Sequence, residues 1–262
     1  MNLIEQFRNS MLDFRSYHSL SRIKGSKSFL YIFLLFLLVY AISSIYNGVQ
    51  INNAIDMLQR SLVNNIPDFN LSNGKFFFAG EMPFQIEEKG FVFIIDTTGH
   101  TTVDDIKNTD NGILITEDEL IVSQMGKTEI TPLSMLAPIE ISKNQVVQFL
   151  PTLKALIYII FAAGFIFAFA GKLFGILVLS LVAKIATAIF RQKLTFLNQW
   201  NIAIYASTLP TLIKLIHTLS GSPLGGYLFF IYWGLAITYV FLGIYNMPPL
   251  TDTESLMHDT IS

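Results

Sequence analysis

The chain has 262 residues, is 52% hydrophobic and only 14% charged, and carries 23 Phe. That composition excludes an ordinary soluble globule, and a formal net charge of −2 gives no footing for nucleic-acid binding. Cysteine is absent, which excludes disulfides, thiolate catalysis and cysteine-based metal sites.

The mean charge conceals a segregated pattern. Residues 1–28 set five basic side chains (Arg8, Arg15, Arg22, Lys24, Lys27) against Glu5 and Asp13. Ile4, Phe7, Met11 and Phe14 recur there at helical spacing with Arg8 and Arg15 nearby. This predicts a short amphipathic helix on the inner membrane surface. Residues 29–47 follow as the first transmembrane helix, built on the apolar run FLYIFLLFLLVYAISSI. The basic flank places residues 1–28 in the cytoplasm by the positive-inside rule. A cleavable signal peptide is the rival, because Ala41-Ile42-Ser43 loosely fits a cleavage site, but a 28-residue leader is long and further apolar runs follow.

Residues 48–149 are then expected outside the cytoplasm as a small α+β domain. From 48 to 150 the chain holds fourteen acidic against six basic residues. Ile51, Ala54, Ile55, Leu58 and Leu62 share one helical face, and Pro67 ends that helix. Strand-like runs come next: Lys75–Phe78 after Asn73-Gly74, Phe84–Ile86, Phe91–Ile95 after Lys89-Gly90, Ile113–Ile115 after Asn111-Gly112, and Leu120–Ser123. Thr102–Lys107 reads as a short helix capped by Thr102, with Asp104 and Asp105 at its positive end.

Residues 150–246 read as a membrane helix bundle, and no Asp or Glu occurs from 141 to 251. A lipid-embedded segment avoids carboxylates in this way. The runs are Leu150–Ala170, Leu173–Phe190, Asn201–Leu219 and Gly226–Tyr245. With the first span this makes four spans and a candidate fifth, 173–190. Five passes would put Arg191 and Lys193 outside, against the positive-inside rule, unless 173–190 is re-entrant, interfacial or a continuation of the preceding helix. Gly164, Ala168, Gly171 and Gly175 fall on one face and suit both that continuation and helix packing. Residues 247–262 form a tail with Asp252, Glu254 and Asp259. The fold class expected is thus a polytopic α-helical membrane protein, multi-pass in the cell membrane, with an extracytoplasmic α+β domain after its first span.

Four stretches carry a resemblance: FRSYHSLSRIKGSKSFLYIFLL, IPDFNLSNGKF, FVFIIDTTG and NQWNIAIYASTLPTLI. In that order they resemble a family of bacterial, mostly Firmicute, membrane proteins whose best-named members are called maltodextrin utilisation proteins. The IDTTG and IYASTLP stretches are the more specific, and the latter is also similar to the Tyr-Ala-x-x-x-Pro region of Yip1-type membrane proteins. The resemblance implies a link to carbohydrate use. It brings no catalytic residues to carry over.

Candidate sites are few. Asp96 ends FVFIIDTTG, yet the Asp-Thr/Ser-Gly of aspartic proteases is interrupted here by an extra Thr and has no second copy. Asp96, Thr97 and Thr98 therefore read as a strand-ending turn, with ligand binding as the alternative. Asp104, Asp105 and Asp110, or Glu117, Asp118 and Glu119, offer oxygen ligands but lack the ladder of a calcium loop. His100 has no zinc spacing. No metal site or cofactor is expected.

Within the apolar block, Lys184, Lys214 and His217 are ionisable, with Lys154 near a span end. Pro210, after Ser207-Thr208, is expected to kink its helix. There is no phosphate loop of GxxxxGK[ST] type, and Ser222 precedes a proline without a base nearby. The function expected is a non-enzymatic membrane accessory or regulatory protein. Its partners are the lipid bilayer and another membrane protein such as a sugar transporter, with self-association as a further option. The alternative is a small transporter or channel using the Pro210 helix with Lys214 and His217.

Overall fold

The computed structural model describes residues 1–88, 91–107, 111–124 and 127–248. The Lys89-Gly90 turn, Asp110 and the acidic residues of the tail lie outside the described residues. The chain divides into two compact units, Met1–Val49 with Tyr158–Ser262, and Gln50–Ile157.

In the first unit, α1 (Leu3–Leu12) opens with a capping box: Asn2 Oδ1 accepts from the Glu5 N–H at 2.8 Å, and the Glu5 carboxylate accepts from the Asn2 N–H at 3.0 Å. Asp13 caps a 3₁₀ turn, Phe14–Ser16, which leads into α2 (Tyr17–Ser21). The fully buried residues of α1 are polar. Gln6 and Ser10 are buried, whereas Ile4 and Leu12 are 79% and 77% exposed. Hydrogen bonding selects this rotation. Tyr205 Oη donates to Gln6 Oε1 at 2.9 Å, Tyr31 Oη lies 3.4 Å from Ser10 Oγ, and Tyr17 Oη donates to the Ser10 carbonyl at 2.8 Å. Buried hydroxyls need partners, and α1 supplies them. Phe7 and Phe14 turn toward the core, but Ile4 does not, so the expected apolar face is only partly the packed one.

The long helix α3 (Gly25–Asn64) runs without a break where the sequence suggested a span and then a separate helix. Gly48 does not interrupt it, since an interior glycine costs only about 1 kcal/mol relative to Ala. A Cβ there would rest at 3.6 Å against the rings of Tyr158 and Phe161. The helix stops at Asn64, just before Pro67 takes the chain out of helical geometry. The helix α5 (Lys143–Ile189) is likewise continuous through residues 170–173. Residues 173–190 therefore continue the preceding helix rather than form a fifth one. Absence of any helix breaker between Ala170 and Leu173 other than a single glycine explains the continuity.

The two stretches of α5 in this unit have different partners. Phe165 and Phe169 interlock with Phe29, Phe33, Phe36 and Tyr40 of α3, with ring centroids 5.3 to 6.1 Å apart. Tyr40 Oη also donates to the Phe161 carbonyl at 2.8 Å. Further along, Ile176, Leu179, Ala183 and Ala186 enter a core with Tyr17, Leu20, Ile202, Ala203, Val240 and Ile244. Those partners come from α2, α6 (Phe196–Ala206) and α8 (Tyr227–Tyr245), with α7 (Thr208–Leu219) between the last two. The kink expected at Pro210 is a helix boundary at Ser207. Proline has no N–H for the Ala206 carbonyl, and Ser207 and Thr211 turn their hydroxyls onto the Ile204 and Ser207 carbonyls at 2.8 and 2.6 Å. Among the described residues four helical runs are long and apolar enough to cross a membrane: α3, α5, Phe196–Leu219 and α8.

The second unit holds two small sheets. Strands β1 (Phe69–Ser72), β2 (Lys75–Phe78) and β8 (Ile141–Ser142) form one, in the antiparallel order β2-β1-β8. Asn73 and Gly74 both take positive φ, 53° and 75°, which makes the two-residue turn of the β1–β2 hairpin. The other sheet has the order β3-β4-β5-β6-β7, from β3 (Phe84–Glu88), β4 (Phe91–Ile95), β5 (Asn111–Ile115), β6 (Glu119–Gln124) and β7 (Lys127–Pro132). Only β4 and β5 are parallel, and α4 (Val103–Lys107) lies on their crossover. Val92 and Ile94 pack with Ile106 of α4, while Ile95 packs with Leu71, Phe76, Phe78 and Leu133. Strand β4 is thus covered on both faces, which accounts for its unbroken apolar run.

Candidate functional site

The turn after β4 is built around Asp96, which is buried. Its Oδ1 accepts from the Thr98 N–H at 2.8 Å and from Thr98 Oγ1 at 2.5 Å, and its Oδ2 accepts from the Thr101 N–H at 2.7 Å. The Asp96 N–H donates to the Ile115 carbonyl at 2.9 Å, extending the β4–β5 ladder by one rung. Gly99 takes φ +81°, which lets the chain turn back and bring Thr101 to the carboxylate. Burial alone would raise the Asp96 pKa, but the hydrogen bonds from Thr98 and Thr101 outweigh it and hold the carboxyl well below the usual carboxylate range. Such an acid accepts hydrogen bonds and is a poor proton shuttle near neutral pH. Thr97 points elsewhere, its N–H and hydroxyl lying 3.3 and 3.1 Å from Met82 Sδ. His100 Nδ1 lies 2.6 Å from Thr98 Oγ1.

The carboxylates of Asp105, Glu117 and Asp118 are occupied locally. Asp105 Oδ2 accepts from the Thr102 N–H at 2.7 Å and from its hydroxyl at 3.1 Å, opening α4. Glu117 and Asp118, in the β5–β6 turn, take the Lys75 ammonium at 2.8 and 3.9 Å. Glu119 donates its N–H to Thr116 Oγ1 at 3.0 Å. Among the described residues no group of three or more His, Asp or Glu side chains is placed to hold a metal ion. Lys154 is ion-paired with Asp56.

In the helical unit, His217 is buried and its Nε2 accepts from the Leu224 N–H at 3.1 Å, tying down the SGSPLG turn. Lys214 and Lys184 are exposed on α7 and α5. The glycine ridge is unevenly used. A Cβ at Gly164 would sit 3.0 Å from Tyr40 Oη, whereas Gly171 and Gly175 face open space. Ala168, between them, is half-buried.

The most elaborate polar site is one that the sequence did not point out. Lys172, half-buried on α5, donates to three hydroxyls: Ser207 Oγ at 3.1 Å, Thr211 Oγ1 at 2.7 Å and Tyr232 Oη at 2.8 Å. It joins α5 to the α6–α7 boundary and to α8. Its position between two apolar runs read as separate blocks hid it. In one continuous helix of 47 residues it is a charge in the interior, and that is the signal that finds it.

These features define a mostly helical protein with four helices long and apolar enough to cross a membrane, plus a small sheet region. The turn at Asp96, the Lys172 cluster and all but the outermost residues of the helices, Leu3 and Tyr245, fall within residues 4–244, which match the family model described as a protein of unknown function (DUF1189). The chain belongs to the DUF1189 family. No curated protein and no solved structure matches it.

Proposed function

We propose that the chain is a multi-pass cell-membrane protein that acts as a non-enzymatic accessory or regulatory partner of another membrane protein. The system we assign it to is carbohydrate uptake or utilisation, on the strength of its resemblance to proteins called maltodextrin utilisation proteins. The observation that carries the partner role is the open face at Gly171 and Gly175 on α5, where small residues meet nothing within the chain. Close backbone approach along such a face drives helix association in lipid. The state of Asp96 supports a non-enzymatic reading, because both of its oxygens already accept hydrogen bonds from Thr98 and Thr101.

The N-terminus lies in the cytoplasm and residues 48–149 outside it. The continuity of α5 supports four passes, which return Arg191 and Lys193 to the side of Arg8 and Arg15, in keeping with the positive-inside rule. The chain has no cysteine, so Gln192→Cys in intact cells gives a clean reading. The expected result is protection from a membrane-impermeant thiol reagent until the cells are opened. Labelling from outside would rule out four passes.

Crosslinking and pull-down from native membranes tests the role itself. A component of a sugar-uptake system is expected to be recovered, and recovery should fall several-fold when Gly171 and Gly175 are both replaced by Leu. Recovery of no membrane protein with the wild-type chain would sink the accessory role.

A further inference from the structure

We infer that Lys172, Tyr232 and Lys214 form a binding site for a phosphate oxyanion, carried by a phospholipid headgroup or by a small solute. The inference is independent of the accessory role. It starts from an imbalance of charge. The three acceptors around the Lys172 ammonium are hydroxyls, which satisfy its N–H groups but contribute no negative charge. Two of them have already placed their own protons, Ser207 on the Ile204 carbonyl and Thr211 on the Ser207 carbonyl. Tyr232 differs. It accepts from Lys172, and its own proton has no acceptor among the described residues.

Lys214 supplies the second charge. It lies three residues beyond Thr211 on α7, hence on the same side of that helix, and acts on Lys172 as a like charge. Its ammonium has no hydrogen-bond or ion-pair partner among the described residues. Counter-charges are scarce among the described residues of this unit. No acid occurs between residues 141 and 251, and residues 1–49 contain only Glu5 and Asp13. Glu5 is held by Asn2 and Asp13 by Arg15 and Ser16, each within its own helix start.

Two like charges, one of them hydrogen-bonded to a phenol whose own proton is unused, attract an anion where counter-charges are scarce. A phosphate group suits the set, since its several oxygens can accept the Tyr232 proton and it carries the negative charge that Lys172 and Lys214 lack. A purely structural Lys172 would instead clamp α5 to α7 and α8 and show no dependence on anions.

The test uses the full-length protein in detergent with two probes. Micelles doped with phosphatidylglycerol, followed by native mass spectrometry, report a lipid headgroup. Titration with inorganic phosphate against chloride at equal ionic strength, read by thermal unfolding, reports a free anion. Saturable binding of at least one probe is expected, weakened about tenfold or more in Lys172→Met and severalfold in Tyr232→Phe and Lys214→Gln. Retained lipid with no response to inorganic phosphate identifies the headgroup, and a saturable phosphate response identifies a solute. Should Lys172→Met fail to fold, the other two variants decide, since one removes a single oxygen and the other lies on the surface. Binding of neither probe by the wild type, or unchanged binding in every variant that folds, overturns the site.

Discussion

Replacing Asp96 with Asn is expected to loosen the end of β4 by about 2 kcal/mol, because a charged acceptor is lost and one buried donor goes unpaired. The amide keeps one oxygen. If that oxygen serves Thr98, the Asn nitrogen meets the Thr101 N–H, donor against donor. If it serves Thr101, the conflict moves to Thr98. Hydrogen exchange of the β4 and β5 amides in the full-length protein reads the effect directly, and protection should drop by roughly thirtyfold. The wild type should also show an acid dependence that the variant lacks. The carboxyl titrates lower in the folded state than in the unfolded chain, where its pKa is about 3.9. Its contribution is therefore complete above about pH 4 and is lost as the pH falls toward the folded-state value. Undiminished protection in Asp96→Asn, with activity lost, would point instead to a ligand at the turn.

The second large effect is expected at Gly243. A Cβ there would stand 2.8 Å from Cγ and 3.0 Å from Cε1 of Tyr17, a ring with no exposed surface. Neither partner has room to yield. Tyr17 is held by its hydroxyl on the Ser10 carbonyl and sits in the largest core of the chain, and Gly243 is fixed in α8. Gly243→Ala should cost about 1–3 kcal/mol of packing and release the segment from Leu3 to Ser21. Limited trypsin digestion would report this as faster cleavage at Arg8 and Arg15. Tyr17→Leu in the same chain should restore part of the loss, because the smaller side chain clears the Cβ. A double variant no better than Gly243→Ala would mean that the segment is held elsewhere, for example by Asn201, whose Nδ2 donates to the Ser21 and Ile23 carbonyls at 2.8 and 2.7 Å.

What the sequence could and could not convey follows from the range of the forces involved. Strands β2 and β4 were legible with their ends, since Asn73-Gly74 fixes one turn by backbone geometry and the short apolar run FVFII, bounded by turn residues, reads as a buried strand. The turn at Asp96 was legible because its Thr98 partner is two residues away, whereas the Thr101 donor depends on how the chain returns past Gly99. Strands β1 and β7 were missed, as was the two-residue β8. FNLS alternates but over only four residues, KTEITP has a single large apolar residue in Ile130, and their strand state comes from pairing with β2 and β6. The length of the apolar runs made the four long helices visible but not their joins, which is why α3 and α5 are longer than the spans read from them. The rotation of α1 was hidden for a different reason. Apolar periodicity assumes that the apolar side packs, and here tyrosine hydroxyls from α3 and α6 claim the polar side.

The pairing of β1 with β8 has a consequence for the order of events on the ribosome. Leu71 lies opposite Ile141, so the first strand of its sheet must wait for some seventy residues of synthesis before its outer edge is covered. Until then one side of β1 offers unpaired backbone to any passing strand. The closing strand ends at Ser142 and α5 begins at Lys143. Completion of the sheet and emergence of the longest described helix are therefore consecutive steps, and a stall before Ile141 leaves a nascent chain with one edge of β1 exposed.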